Sequence, residues 1–196
     1  MGMDVYGKNP KQNVDRSKFS TLHKYESMEF RERWKLLDKD EKLRQTYWLE
    51  KDDYEQQNPG FYFRNNCWWW RPLWDYCANI APDLISDELW DSGHHNDGAG
   101  LEANDAAKLG VILMTSVEDG TCERYHKAHI DKLEALPKET CQSCNGNNHG
   151  FSKKKDCKRC EGSGEVDNFS KNYPFHPDNV ERFANFCIQS GGFEIN

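Results

Sequence analysis

Two cysteine pairs set the tightest constraint on this chain. Cys141 with Cys144 and Cys157 with Cys160 stand in CQSCNGNNHGFSKKKDCKRCEGSGEV, two residues inside each pair and twelve between the pairs. Two residues between thiolates let both sulfurs reach one ion from a tight knuckle. Four sulfurs leave no open coordination position, which is the pattern of structural zinc. Gly146 and Gly162, each two residues after the second cysteine of its pair, give the backbone the freedom to turn its amides toward sulfur. The expected cofactor is therefore one structural Zn²⁺ on Cys141, Cys144, Cys157 and Cys160, in a module over 141–165. The alternative is two coincidental CxxC pairs or redox dithiols.

The rest of the chain narrows the setting. No apolar run approaches the roughly 20 residues of a membrane span. MGMDVYGKNP has no apolar stretch of signal-peptide type, and Tyr6 stands where a myristoylation start needs Ser or Thr. A cytoplasmic location is expected, where eight cysteines point to metal and free thiols before disulfides. A net charge of −7 argues against general nucleic-acid binding, which draws most of its affinity from a basic face. The lysines of SKKKD, with Lys158 and Arg159, offset the thiolates in the simpler reading; the sharper one makes them a phosphate-contacting patch.

The zinc stretch resembles the paired C-x-x-C-x-G-x-G units of the DnaJ-type cysteine-rich domain. Cys157, Cys160, Gly162 and Gly164 match a whole unit. Cys141, Cys144 and Gly146 match another, in which Asn148 replaces the second glycine. Only two of that family's four units are present, and the HPD at 176–178 follows the zinc stretch and opens a helix. The resemblance implies a zinc module and not co-chaperone activity.

Periodicity predicts an α+β domain, mostly helical, with a small sheet made by the chain ends and the zinc knuckle as an insertion. Residues 1–10 and 59–196 form the core domain. Residues 11–58, dense in charge, form a helical insertion or arm on which Phe30, Trp34 and Leu37 make a thin apolar stripe. Pro72 is expected at the start of a helix running to about Ile80, so that Trp68, Trp69 and Trp70 lie on its approach. A helix with Ala106, Leu109, Leu113 and Val117 inward stops at Gly120, and another runs from Thr121 to Pro137. HPDNVERFANFCIQSGG places Val180, Phe183, Ala184, Cys187 and Ile188 on one face, with Pro177 first and Gly191 last. MDVYG and GFEIN are expected to pair as strands. Cys67, Cys77, Cys122 and Cys187 read as buried small hydrophobes.

The remaining signal is YFRNNCWWWRPLW. Most of its tryptophans read as core, because indoles rarely need a ligand to account for them. RNN and Arg71 are harder to assign to packing, because buried amides require partners. The candidate ligand site is Tyr62, Arg64, Asn65, Asn66, Trp69, Trp70 and Arg71, bordered by His95, Asn96 and Asp97 of GHHNDGAG. Aromatic faces stack on flat rings, arginine forks hold phosphate or carboxylate, and asparagine offers paired donors and acceptors. A helix N-terminus at Pro72 would add amides that favour an anion. This inventory suits a small anionic or nucleotide-like ligand.

MGMDVYG, YFRNN-WWWRPLWDYC, NDGAGL, the paired CxxC and SGGFEI together resemble a family of uncharacterised bacterial and phage proteins. The likeness covers most of 1–10 and 60–196 and leaves 11–58 as an insertion. It implies a bacterial or viral source and carries over no catalytic residue. Binding without turnover, suited to sequestering a nucleotide, is the first reading. A protein partner engaged by the zinc module and the arm is the second. A metal-dependent hydrolase or lyase using His94, His95 and Asp97 is the third, with a helical His126 and His129 pair as a weaker chelate. Homo-oligomers are compatible with each.

Overall fold

The computed structural model describes residues 2–146 and 154–196. Strand β1 (Gly2–Gly7) leads into helices α1 (Ser20–Glu26), α2 (Phe30–Leu37) and α3 (Glu41–Gln57). Strand β2 (Tyr62–Asn66) passes directly into α4 (Cys67–Ile80), followed by α5 (Asp87–Ser92), β3 (Ala99–Glu102), α6 (Ala103–Glu118) and α7 (Thr121–Glu134). Strands β4 (Glu139–Thr140) and β5 (Glu165–Val166) bracket the cysteines, and α8 (Pro177–Gln189) with β6 (Gly192–Ile195) follows. The fold is α+β and mostly helical, as the patterning requires.

The antiparallel sheet has the order β2-β1-β6-β3. Val5 faces Phe63 on one side and Ile195 on the other, so the two chain ends pair as expected. Strand β3 takes up the end of the glycine-rich stretch that reads as a loop. Its partner, β6, lies some ninety residues on and leaves no local signal. Alternation sends Met3, Val5, Phe63, Leu101, Phe193 and Ile195 to the buried face, against Leu109 and Leu113 of α6 and Val180, Phe183, Ala184 and Cys187 of α8. Ile188 departs from the expected stripe. It is 42% exposed, at the rim where α8 meets Gly110 of α6.

Residues 11–58 build a cluster of their own. Phe19, Leu22, Tyr25, Leu37 and Tyr47 are buried together, with Trp34 partly covered and Phe30 left 62% exposed. Asn58, 1% exposed, ties the base of the segment. Its Oδ1 accepts from Asn13 N (2.8 Å) and Val14 N (3.0 Å), and its Nδ2 donates to Tyr54 O (2.9 Å) and Val14 O (3.2 Å). Four polar groups are thereby satisfied by one amide.

The tryptophan helix corrects the sequence reading. It begins at Cys67, not Pro72, because Asn66 is an N-cap: its Oδ1 accepts from Trp68 N (3.0 Å) and Trp69 N (3.1 Å). Pro72 therefore lies inside α4, where it cannot donate to the Trp68 carbonyl. Burial of Trp70, Leu73, Trp74, Tyr76 and Cys77 offsets that loss. Trp70 and Trp74 stack with centroids 5.5 Å apart, and each indole is anchored. Trp70 Nε1 donates to Gly93 O (2.7 Å) and Trp74 Nε1 to Trp90 O (3.1 Å). Only glycine fits at 93, since a Cβ there would lie 2.2 Å from Trp74 Nε1.

Candidate metal centre and ligand clefts

Four buried cysteines make the first site. The sulfurs of Cys141, Cys144, Cys157 and Cys160 all lie within 4.8 Å of one another, with Cys141 to Cys157 and Cys144 to Cys160 each at 3.7 Å. A disulfide needs about 2.05 Å, so these are not bonded pairs. A tetrahedral ion with metal–sulfur bonds of about 2.3 Å holds its sulfurs about 3.8 Å apart, which fits the spacing. The two knuckles repeat one backbone form. Asn145 and Glu161 have φ of 50°, and Gly146 and Gly162 follow at 68° and 82°. That left-handed turn is where the sequence placed its glycines. Gly164 N donates to Cys160 Sγ (3.3 Å), and Cys141 N to Gly164 O (2.9 Å), closing the module on the β4–β5 pair. Lys155, Lys158 and Arg159 are exposed beside it; Ser152 and Lys153 lie outside the described residues.

The second site is a pair of clefts beside β2 that share Arg182. The larger, 710 Å³, runs between Asp52 and Glu55 of α3, Tyr62 and Arg64 of β2, and Arg182 and Asn185 of α8. The smaller, 390 Å³, is lined by Asn65, Trp69, His176, Asp178, Asn179 and Arg182. Strand alternation sorts the predicted residues between the faces. Phe63 and Asn65 turn inward, while Tyr62 and Arg64 turn outward beside Asp4. Tyr62 OH donates to Asp4 Oδ1, and Arg64 Nε lies 3.4 Å from the same oxygen. Burial first, then the bond to Asp4, raises the Tyr62 phenol well above its ordinary range, so it stays a donor.

Arg182 is exposed, sits 5.6 Å over the Phe63 ring, and forms no ion pair among the described residues. Asp178, one turn before it, lines the smaller cleft with its carboxylate 84% exposed and Oδ1 3.5 Å from His176 Nδ1. Asn65 and Asn179, each 8% exposed, share a bond from Asn65 Nδ2 to Asn179 Oδ1 (3.1 Å). His176 Nδ1 accepts from Asp178 N (3.2 Å), which puts the ring proton on Nε2 when the imidazole is neutral.

The other predicted residues are placed elsewhere. Trp70 is fully buried, which removes it from the ligand surface. The anion-binding amides expected at Pro72 are not there, since the first amides of α4 are taken by the Asn66 cap. Arg71 Nη1 donates to Tyr173 OH (3.0 Å), and Trp68 packs on Phe169 and Tyr173. Asn96 Nδ2 holds Gly2 O (3.1 Å), and Asp97 Oδ1 accepts from Ala99 N (3.2 Å), which is turn-building. His95 is exposed. His94 Nε2 lies 3.4 Å from Asp75 Oδ1, which also accepts from Trp90 Nε1 (2.8 Å). Burial would raise the Asp75 carboxyl, but those two bonds outweigh it and hold it below the ordinary value. His126 Nδ1 and His129 Nε2 meet the carbonyls of Phe175 (2.6 Å) and Tyr173 (2.8 Å), so both pin the segment before α8 instead of chelating.

Arg182, Asn179 and His176 escaped the sequence reading. Arg182 and Asn179 are polar residues of an amphipathic helix and His176 is its cap, places where exposure to solvent is the ordinary expectation, and Asn179 lies 114 residues from its partner Asn65. Comparison of the chain with protein-family models, with curated proteins and with solved structures gave no match. No helix among the described residues is long and apolar enough to cross a membrane.

Proposed function

We propose that this chain is a zinc-stabilised binding protein that holds a small anionic ligand in the clefts around Arg182. The observation that carries the reading is an unneutralised arginine shared by two adjoining clefts, in a chain of net charge −7. Although Asp52, Glu55 and Asp178 line the same clefts, none is within ion-pair distance of Arg182, which leaves its guanidinium able to take an anion. Zinc is the natural occupant of four thiolates with no open position, and thiolates persist in a reducing compartment such as the cytosol. Binding without turnover is sequestration, which suits the bacterial or viral source that the resemblance implies.

Calorimetric titration with pyrophosphate tests the site. Saturable binding to the wild-type chain, weakened about tenfold or more in Arg182→Ala, supports it, a hydrogen bond to a charged group being worth about 1.5–3 kcal/mol. Equal binding by both proteins, or none by either, removes it.

A second reading rests on the arm. Phe30 (62%), Leu49 (70%) and Trp48 (40%) are exposed on α2 and α3, more apolar surface than an isolated charged helix needs, and suit a protein partner. Deletion of 11–58 that left pyrophosphate binding intact but abolished function in cells would favour it.

A further inference from the structure

We infer that the smaller cleft reads the edge of a nucleobase, with Asn65 and Asn179 as the reading pair and Trp69 as the stacking face; this rests on the anion reading above. Two carboxamides joined by a single N–H···O bond leave one amide nitrogen and one carbonyl oxygen unclaimed. Turning both amides over exchanges which residue supplies which and changes nothing else. Here Asn65 Oδ1 and Asn179 Nδ2 have no partner among the described residues, although both residues are more than nine-tenths buried. Neither atom is sealed off. Among the described residues the orphaned buried polar atoms are Arg33 Nε, Trp34 Nε1, Tyr76 OH and His94 Nδ1, and both asparagines line the cleft.

A ligand that satisfies both atoms must present a donor and an acceptor side by side on one edge. Purine and pyrimidine rings do so through their lactam or amidine edges, and asparagine reads adenine in this bidentate way elsewhere. The wall supplies the second requirement. Among the described residues Trp69 is the one tryptophan of seven with no ring neighbour, while Trp68, Trp70, Trp74 and Trp90 all pack on aromatic or imidazole rings. Trp34 and Trp48 pack on each other in the arm. An unpaired, half-exposed indole beside a donor–acceptor couple is a stacking platform. Arg182 lines the same cleft and continues into the larger one, which places the phosphate of a mononucleotide on the arginine.

The test titrates AMP, GMP, CMP and UMP against ribose 5-phosphate and pyrophosphate, by calorimetry on the full chain. At least one nucleotide should bind about tenfold or more tightly than ribose 5-phosphate, the gain expected from two hydrogen bonds and one stack. In Trp69→Ala and in the uncharged Asn65→Ala, each checked by circular dichroism for a native fold, that advantage should fall to within about threefold of ribose 5-phosphate while pyrophosphate binding persists. Nucleotides that bind no better than ribose 5-phosphate overturn base reading and leave the anion site standing. Failure of all six compounds to bind removes the anion reading and this inference with it.

Discussion

Trp69 and Trp70 are neighbours in one helix and meet opposite surroundings. Trp70 is sealed in the core, stacked on Trp74 and bonded through its indole nitrogen to Gly93. Trp69, one residue back and about 100° around the helix, has neither a ring partner nor an indole hydrogen bond among the described residues, and faces a cleft. Residue type is the same and sequence position nearly so. In the function proposed above, what separates structure from site is whether the polar and aromatic capacity of a side chain is already used. The same distinction divides the two asparagines: Asn66 spends its oxygen on capping α4, and Asn65 keeps an oxygen to spare.

The difference can be broken in order of expected effect. Trp70→Ala removes a fully buried indole with its stack and hydrogen bond and should cost about 3–5 kcal/mol in chemical denaturation. A cost below about 1 kcal/mol would erase the contrast with its neighbour. Gly93→Ala should cost about 1–3 kcal/mol, because the new methyl displaces the Trp74 indole. Trp69→Ala, at a partly covered helical position, should cost less than Trp70→Ala, about 2 kcal/mol or less. A larger loss would make Trp69 architecture too.

The smallest effect is on acid stability. Asp75 has its carboxyl held below the ordinary value near 3.9 by His94 and Trp90, the partner of the tryptophan pair. Its contribution is complete above that value and is lost as pH falls through the lower folded value. Denaturation between pH 5 and about 2.5 should therefore show a modest decline that Asp75→Asn flattens.

The cysteine module was the most legible part of the sequence, because ligand spacing is a local property and the turn glycines stand in the same few residues. The sheet from the chain ends was legible for a related reason: Val5 and Ile195 alternate with polar neighbours in short segments. Helix α4 was misread at its start because a proline is a stronger sequence mark than an asparagine. The cap at Asn66 decides the outcome nonetheless. The clefts were half legible. Tyr62, Arg64, Asn65 and Trp69 stood out by composition, whereas Arg182 and Asn179 look like any polar face of a helix until α8 is laid against β2. Long-range juxtaposition of ordinary residues leaves no local trace.

The most direct test is the native mass spectrum of the chain purified from the cells that produce it, wild type beside Arg182→Ala. The wild-type spectrum should show the chain with one zinc ion and one small acidic molecule, and the Arg182→Ala spectrum the chain and zinc alone. A wild-type spectrum without the small molecule, or an Arg182→Ala spectrum that retains it, would contradict a ligand site centred on Arg182.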